Sequence, residues 1–287
     1  MTGPLAPTGT TKVCGVIGDP VSHSLSPVLH NAAYAALGLD WVYVAFAVAT
    51  GNGAEAVAAM RALGLVGLSV TMPHKESIAR YADEVSDDVV ALGAGNTLRW
   101  VGTNIRAETT DGPGCISALR EAGVDPTGKR VMVLGAGGAG RAVVLALARE
   151  GAKEIVVVNR TPERARAAVA LTGAIGRVGS ADEADRCDVV INATSVGMAK
   201  SSDGIPVDRA VIDPARLGPG QVVNDLVYHP LVTPLMAMAA ERGSIVVGGL
   251  GMLLHQAALQ FRFWTGESAP IGAMRAAVST ELARRSA

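Results

Sequence analysis

Strong net charge is missing from this chain of 287 residues, whose formal net charge at pH 7 is −1. Charged residues make up only 18% of the sequence, against 49% hydrophobic residues. This composition excludes an intrinsically disordered chain. The sequence also lacks the excess of basic residues that is typical of a nucleic-acid-binding protein. The length suffices for about two domains, whose core needs neither disulfides nor metal.

Cysteine is scarce as well. Cys14, Cys115 and Cys187 lie far apart and form no CxxC pair, which argues against a disulfide framework and a cysteine zinc site. No set of His, Cys and Asp has metal-ligand spacing, and no GxSxG elbow is present, so metal hydrolysis and serine esterase chemistry lack their residues. We expect three reduced thiols in the core and no bound metal.

Signals for export or for a membrane span are missing too. Residues 1–11 contain no apolar signal-peptide core. Residues 243–261 form an uncharged stretch of 19 residues, about the length of a bilayer span, but they hold four glycines and the polar residues His255, Gln256 and Gln260. We expect a cytoplasmic protein that does not contact a membrane.

Strand-like and helix-like patterns alternate along the first hundred residues. The apolar runs predict strands over Lys12–Ile17, Trp41–Val48 and Leu65–Thr71, helices over Pro27–Leu37 and Ala54–Leu63, and a hairpin over Thr97–Val101 and Ile105–Thr109. Ser26 is expected to cap the first helix. Another helix is predicted to begin near Pro113, where we place a domain boundary.

The next stretch has the pattern of a doubly wound parallel sheet. Strands are predicted over Arg130–Leu134, Ile155–Val158, Val189–Asn192 and Val222–Leu226, with a helix over Ala139–Arg149. Two further helices, Gly251–Thr265 and Ile271–Arg284, close the chain. No strand follows them, so we expect them to pack on earlier parts.

A GxGxxG motif lies directly between the strand that ends at Leu134 and the following helix. In that context the first glycine allows a tight turn, the second lets the backbone approach a pyrophosphate, and the third allows close helix–strand packing. The motif predicts a dinucleotide site whose contacts include Gly135, Ala136, Gly137, Gly138 and Ala139.

The end of the second strand of this module indicates which dinucleotide binds. An NAD site carries an acid there, but this chain has Asn159, Arg160 and Thr161. A guanidinium pairs with a 2′-phosphate, which an acid would repel, so Arg160 predicts NADP(H). Arg164, one helical turn later, either binds the same phosphate or is a solvated helix position.

Polar residues follow several predicted strands of the first half. Ser24 and Ser26 lie after the first strand, Thr71 and Lys75 after the third, and Asn96 and Asp111 at later turns. Lys75 is notable because the chain has five lysines and 20 arginines. A lysine beside an aspartate can exchange the proton that hydride transfer to a ketone requires.

A series of short motifs in one order, from about Val13 to Gly266, resembles the shikimate dehydrogenase family. The motifs are Ser24–Pro27, Val70–Lys75, Asn96–Thr97, Thr110–Gly112, Gly135–Gly140, Asn159–Thr161, Asn192–Met198, Asp225–Tyr228 and Gly249–Ala258. The resemblance implies a two-domain α/β fold, in which residues 1–112 and 248–287 form the substrate domain and residues 113–247 an inserted Rossmann domain.

The resemblance also implies an activity, the NADPH-dependent reversible reduction of 3-dehydroshikimate to shikimate by a cytoplasmic monomer or homodimer. Lys75 and Asp111 are the implied catalytic pair. The implied substrate contacts are Ser24 and Ser26 for the carboxylate, and Thr71, Asn96, Tyr228 and Gln256 for the other polar groups. Thr194 and Gly249 are expected near the cofactor. Without the resemblance, Gln256 is equally well a tolerated helix residue.

Three positions depart from the family pattern and leave alternatives open. The family often has Asn at the position of Ser69, Asn at that of Thr109, and Phe at that of His74, which we expect to face solvent. Quinate or an amino analogue of shikimate is therefore an alternative substrate. A catalytically silent NADPH-binding relative is a further alternative.

Overall fold

A computed structural model describes residues 6–198 and 211–286 of the chain. By Cα proximity the chain divides into two compact units. The first unit consists of Met1–Thr110 and Gln256–Ala287, and the second of Asp111–His255. The domain boundaries placed at residues 112 and 247 from the sequence differ from these divisions and remain predictions.

The described strands and helices alternate along most of the chain. The strands are β1 (Lys12–Gly18), β2 (Trp41–Ala47), β3 (Gly67–Val70), β4 (Glu84–Val85), β5 (Thr97–Val101), β6 (Asn104–Glu108), β7 (Arg130–Leu134), β8 (Glu154–Val158), β9 (Gly176–Val178), β10 (Val189–Asn192), β11 (Val222–Asp225) and β12 (Ile245–Gly248). The α-helices are α1 (Ser26–Ala36), α2 (Gly53–Ala62), α3 (Lys75–Ile78), α4 (Asp87–Leu92), α5 (Asp111–Glu121), α6 (Gly138–Arg149), α7 (Pro162–Val169), α8 (Pro234–Glu241), α9 (Gly249–Thr265) and α10 (Ile271–Ser286).

The first unit contains a mixed six-stranded sheet in the order β2-β1-β3-β5-β6-β4. β1 pairs in parallel with β2 and β3, whereas β5 is antiparallel to β3 and to β6, as the predicted hairpin requires. Helix α10 packs against α1. A Cβ at Gly67 would lie 2.0 Å from the indole nitrogen of Trp264, so only glycine lets the end of α9 pack this closely on β3.

The second unit contains a parallel sheet in the order β12-β11-β10-β7-β8-β9. Along β7, Val131 and Val133 face one hydrophobic core, while Met132 and Leu134 face another. This alternation is the period of two that a strand buried on both faces must show. The doubly wound α/β fold predicted from the sequence is confirmed.

Two helices start one or two residues before the predicted positions. Ser26 is the first residue of α1 and does not cap it; Leu25 precedes the helix, and no side chain among the described residues caps it. The backbone N–H of Ser26 instead donates to the hydroxyl of Ser24 at 3.2 Å, which forms the turn before the helix. Helix α5 begins at Asp111, so Pro113 lies in its first turn, where proline costs no hydrogen bond.

The three cysteines are buried, reduced thiols, as expected. Burial raises the pKa of Cys14 and that of Cys115 to about 12, so neither is a reactive thiolate near neutral pH. Within residues 6–198 and 211–286 no helix combines the length and apolar character needed to cross a bilayer.

A buried histidine makes the first unit sensitive to acid. His30 is fully buried, and its ring stacks on Tyr43 with 4.3 Å between centroids. Burial lowers the pKa of His30 to about 3, against about 6.5 for an exposed histidine. Between these values the unfolded chain binds a proton that the folded chain does not, so folding stability falls as pH falls.

We expect the free energy of unfolding to decrease by about 2 kcal/mol through this group between about pH 7.5 and about pH 5. The variant His30→Phe keeps an aromatic ring and should lose most of that dependence, measured by urea unfolding at both pH values. The exposed His23 provides the control variant His23→Phe. Wild-type pH dependence in His30→Phe would show that His30 is not responsible.

Candidate active site

The glycine turn after β7 depends on two close backbone approaches. Gly135 has φ of 103°, a left-handed conformation that glycine adopts without strain. A Cβ on Gly140 would lie 2.1 Å from the carbonyl oxygen of Gly135, so any larger residue would separate the turn from α6. The first and third glycines of the motif therefore have the steric roles predicted for them.

The start of α6 has the features of an anion-binding site. Gly137 precedes the helix, and no described side chain caps its first turn. Within the described part of the chain, nothing lies within 4 Å of a Cβ built on Gly137 or on Gly138. The space beside the start of this 12-residue helix is thus open at both glycines, and the helix dipole favours a negative group there.

A cleft of about 450 Å³ opens in front of this turn. Its walls comprise Leu134, Gly135, Ala136, Gly137, Val158, Asn159, Arg160, Arg164, Ala193, Thr194, Ser195, Val196 and Val211. Arg160 and Arg164 are exposed at its edge, at the end of β8 and in the first turns of α7. The predicted cofactor contacts Thr161, Gly138 and Ala139 adjoin these walls in the chain but are not among them.

Asn159 holds the turn in place. Its Oδ1 accepts the N–H of Ala136 at 3.0 Å, and its Nδ2 donates to the carbonyl of Thr161 at 3.0 Å. The residue at the end of β8 therefore connects the glycine turn to the segment that carries Arg160. An uncharged amide at this position leaves the two arginines as the charged groups of the cleft wall.

Asn96 is the centre of the polar site in the first unit. Its Oδ1 accepts the backbone N–H of Thr110 at 2.9 Å and the hydroxyl of Thr97 at 2.9 Å. Its Nδ2 donates to the Thr110 hydroxyl at 2.9 Å and to Gln256 Oε1 at 3.2 Å. Since a backbone N–H can only donate, the Thr110 contact decides which end of the Asn96 amide is oxygen.

The contact with Asn96 determines the orientation of the Gln256 side-chain amide. The Asn96 Nδ2 atom can only donate, so the Gln256 atom that meets it is Oε1. The other end of the Gln256 amide, the donor Nε2, is then the end it can offer to a ligand. The sequence predicted both residues for the substrate site, and the structure brings them together.

Lys75 is the first residue of the short helix α3, and it is half-buried. Its carbonyl accepts the N–H of Gly95 at 2.9 Å, next to Asn96 in the chain. Asp111, which is 7% exposed, directly follows Thr110, whose backbone Asn96 binds. Hydrogen bonds to Asn96 and its neighbour Gly95 thus hold the backbones of Lys75 and Thr110.

His74 is buried, so the expectation that it faces solvent is wrong. It is 1% exposed, and its Nε2 lies 2.7 Å from the carbonyl oxygen of Val48. The N–H of His74 also donates to the carbonyl of Thr71 at 3.0 Å. The loop after β3 folds back on itself and against the loop after β2, a contact between distant segments that the local sequence does not reveal.

Ser69, one of the departures from the family pattern, is a core residue. Its hydroxyl accepts from Tyr43 at 2.6 Å and donates to Gln260 Oε1 at 2.7 Å. Gln260 Nε2 donates in turn to Thr97 at 2.9 Å. Ser69 therefore belongs to a buried chain of hydrogen bonds that ends at Asn96.

The remaining predicted contacts lie in loops and at two helix starts. Ser24 is half-buried, and Ser26 is 8% exposed. Tyr228 is half-buried in the loop after β11, and Thr71 is half-buried after β3. Gly249 begins α9, where a Cβ would lie 2.3 Å from the carbonyl oxygen of Leu226.

The sequence analysis included two buried residues of the second unit in its motifs but assigned them no role. Asn192 and Asp225 are fully buried at the ends of β10 and β11, where their side chains bond to each other at 2.9 Å. The signal was available, because each is a polar residue that ends an apolar strand of a parallel sheet. Such ends lie at the edge where ligands of this fold class bind.

Family models match three stretches of the chain. They describe a shikimate dehydrogenase substrate binding domain over residues 16–98, a shikimate / quinate 5-dehydrogenase over residues 118–199, and a shikimate 5'-dehydrogenase C-terminal domain over residues 249–278. A curated relative, shikimate dehydrogenase (NADP(+)) from Moorella thermoacetica, is 45% identical over 275 residues, which cover 92% of each chain.

Solved structures have the same fold. A shikimate dehydrogenase crystallised with NADP+ superposes with a TM-score of 0.90 at 37% identity, covering 98% of this chain and 99% of that one. The enzyme from Thermus thermophilus in complex with NADP(H) and shikimate has a TM-score of 0.86 at 34% identity, covering 94% and 99%.

We expect alanine to affect the stability of the fold differently at Gly140 and at Gly137. The variant Gly140→Ala should lower the free energy of unfolding by about 1–3 kcal/mol, because its methyl group overlaps the Gly135 carbonyl. Gly137→Ala meets open space and an ordinary φ of −77°, so its stability should stay within about 0.5 kcal/mol. Chemical unfolding of both variants measures the difference, and equal losses would contradict these roles.

Proposed function

The chain belongs to the shikimate dehydrogenase family, and on that premise we propose that it catalyses the reversible NADPH-dependent reduction of 3-dehydroshikimate to shikimate. The observation that carries this proposal is the Asn96 amide. It binds Gln256 and the backbone next to Asp111, while the neighbouring Gly95 binds the backbone of Lys75. Residues for substrate binding and for proton transfer are thus supported by one amide and its neighbour.

The cofactor cleft fits NADP(H). The uncapped start of α6 at Gly137 and Gly138 accepts a pyrophosphate without steric conflict, and Ala136 and Ala139 extend the same backbone surface. Arg160 and Arg164 supply positive charge for a 2′-phosphate. We assign Asn159, Thr161, Thr194 and Gly249 to the same site. The bound cofactor supplies a hydride, and the protein supplies its orientation.

Lys75 and Asp111 are the residues we assign to proton transfer. Reduction of a ketone needs a proton at the oxygen that becomes a hydroxyl, and the reverse reaction needs a base at that hydroxyl. An ammonium group donates this proton, and a carboxylate orients the ammonium and accepts a hydrogen bond from the substrate. Gly95, next to Asn96, binds the backbone of Lys75, and Asn96 binds the backbone of Thr110, which precedes Asp111.

The substrate is held by hydroxyl and amide groups. We assign Ser24 and Ser26 to its carboxylate, and Thr71, Asn96, Tyr228 and Gln256 to its remaining polar groups. Because Gln256 offers the donor Nε2, the group it meets must accept a hydrogen bond. A hydroxyl or carbonyl oxygen does so, whereas an ammonium group has no acceptor.

The position of Ser69 bears on the alternative substrates. One of the departures that raised the alternatives, Ser69, involves a hydroxyl bonded within the core. We propose shikimate as the substrate, while quinate and the amino analogue stay open to measurement. A silent relative has no need of both Lys75 and Asp111. A cytoplasmic location and a monomeric or homodimeric state remain predictions.

The direct test follows the loss of NADPH absorbance after 3-dehydroshikimate is added to the purified protein. The proposal predicts turnover that is much faster with NADPH than with NADH, and a higher kcat/KM in the reverse direction for shikimate than for quinate or the amino analogue. Absence of turnover with 3-dehydroshikimate, while NADPH still binds, would instead support a silent relative.

Removal of the proposed proton donor should slow the chemical step. We expect Lys75→Ala to lower kcat by at least about 10²-fold, the usual contribution of a positioned acid or base, with NADPH affinity unchanged. The exposed Lys129 gives the control Lys129→Ala, which should keep wild-type turnover. Near-normal kcat in Lys75→Ala would refute its role.

Removal of the proposed 2′-phosphate contact should affect only one cofactor. We expect Arg160→Ala to weaken NADPH binding by about 1.5–3 kcal/mol, the scale of a charged hydrogen bond, and to leave NADH binding almost unchanged. Arg166, an exposed residue of α7 paired with Glu163, gives the control Arg166→Ala. Equal losses for both cofactors in a titration would contradict the assignment.

A further inference from the structure

The carboxylate of Asp225 is the most completely enclosed acid described in the second unit. It is 0% exposed at the end of β11. Its Oδ1 accepts from Asn192 Nδ2 at 2.9 Å and from the N–H of Val227 at 3.0 Å, and its Oδ2 accepts from the hydroxyl of Thr233 at 2.6 Å. Burial raises the pKa of Asp225, and these three donors counteract that effect.

Through Asn192 the carboxylate reaches the wall of the cleft. Asn192 Nδ2 also donates to the carbonyl of Val196 at 3.3 Å, and its Oδ1 accepts the N–H of Thr194 at 3.0 Å and the Thr194 hydroxyl at 2.7 Å. Thr194 and Val196 both line the cleft. The position of this wall therefore depends on the Asn192 amide, whose Oδ1 accepts from the Thr194 N–H and whose Nδ2 is held by Asp225.

The same carboxylate holds both ends of the loop that follows β11, through Val227 and Thr233. This loop, residues 226–233, carries Tyr228, and we call it the Tyr228 loop. Thr233 also caps α8, because its hydroxyl oxygen accepts the N–H of Met236 at 3.2 Å. One hydroxyl thus donates to Asp225 and accepts from the helix. The Asp225 carboxylate therefore binds both Asn192, which holds the cleft wall, and the two ends of the Tyr228 loop.

An amide would not replace this carboxylate. A carboxylate accepts at both oxygens, whereas the amide of an asparagine has one acceptor end and one donor end. With the donor end toward Thr233, the Thr233 hydroxyl proton would lose its acceptor. With the donor end toward Asn192 and Val227, two N–H groups would face a third donor. A buried donor without an acceptor costs about 1–3 kcal/mol.

We propose that Asp225 is a positioning residue that sets the cofactor-cleft wall at Thr194–Val196 and the Tyr228 loop together, so that NADP(H) affinity and substrate affinity depend on one buried carboxylate. The proposal rests on the proposed function for the roles of Thr194 and Tyr228. It involves no contact between Asp225 and either ligand.

The test measures NADP+ dissociation constants by calorimetry and the KM for shikimate by steady-state kinetics. The variants are Asp225→Asn, Thr233→Val and Thr233→Ser. Asp225→Asn and Thr233→Val should each raise both constants by about tenfold at a temperature where circular dichroism shows the folded protein. Thr233→Ser keeps the hydroxyl and should stay within about twofold of wild type. Thr233→Val and Thr233→Ser leave the Asp225 carboxylate in place, so the comparison between them keeps the test valid if Asp225→Asn does not fold.

Ser180→Ala is the matched control, because it removes the hydroxyl that caps the short helical turn at residues 181–186 of the same unit. It should lower the melting temperature without changing either constant. A change in Thr233→Val or Asp225→Asn confined to the melting temperature, or to only one of the two constants, would overturn the proposal. NADP+ binding needs no turnover, so a wild-type protein that binds NADP+ but does not oxidise shikimate would count against the proposed function and not against this positioning role.

Discussion

The side-chain amide of Asn96 is the group on which the proposed substrate site of the first unit depends. It is 2% exposed, and it binds a backbone N–H, two hydroxyls and another amide. Each partner limits what the others can do, because the Thr110 N–H determines the amide orientation and the amide then determines the orientation of Gln256. A buried polar network of this kind specifies one geometry when every donor has an acceptor.

The same logic recurs in the second unit at the carboxyl ends of its parallel strands. Asn159 follows the end of β8 and holds the glycine turn, while Asn192 and Asp225 end β10 and β11 and hold the loops that follow. Short polar side chains at these points hold the loops that follow the strand ends in a defined shape. Where two backbone segments approach too closely for a Cβ atom, the residue is glycine, as at Gly140 beside Gly135.

Features encoded by neighbouring residues were predictable from the sequence. The apolar strand before Gly135 and the spacing of its glycines determine the turn locally, and the central strands β7 and β10 have the predicted bounds. The absence of an acid at Asn159 and the presence of Arg160 indicated the cofactor. Short edge strands such as β9 were missed, because three residues with an exposed Arg177 carry no apolar periodicity.

Features that depend on distant partners were not predictable. His74 is buried because Val48, on another loop, accepts its hydrogen bond, and Asn96 meets a helix residue 160 positions away. In each case the local sequence is compatible with several roles for a polar residue, and a contact that only the folded chain creates determines which role it has.

The central claim is that Lys75 and Asp111 act together on one substrate oxygen. A double-mutant cycle tests it through kcat/KM for Lys75→Ala, Asp111→Ala and the double variant. Residues that act as a unit lose little more together than the worse single variant loses alone. The account predicts this non-additive result. Losses that multiply in the double variant would show that the two residues act independently, and would contradict the account.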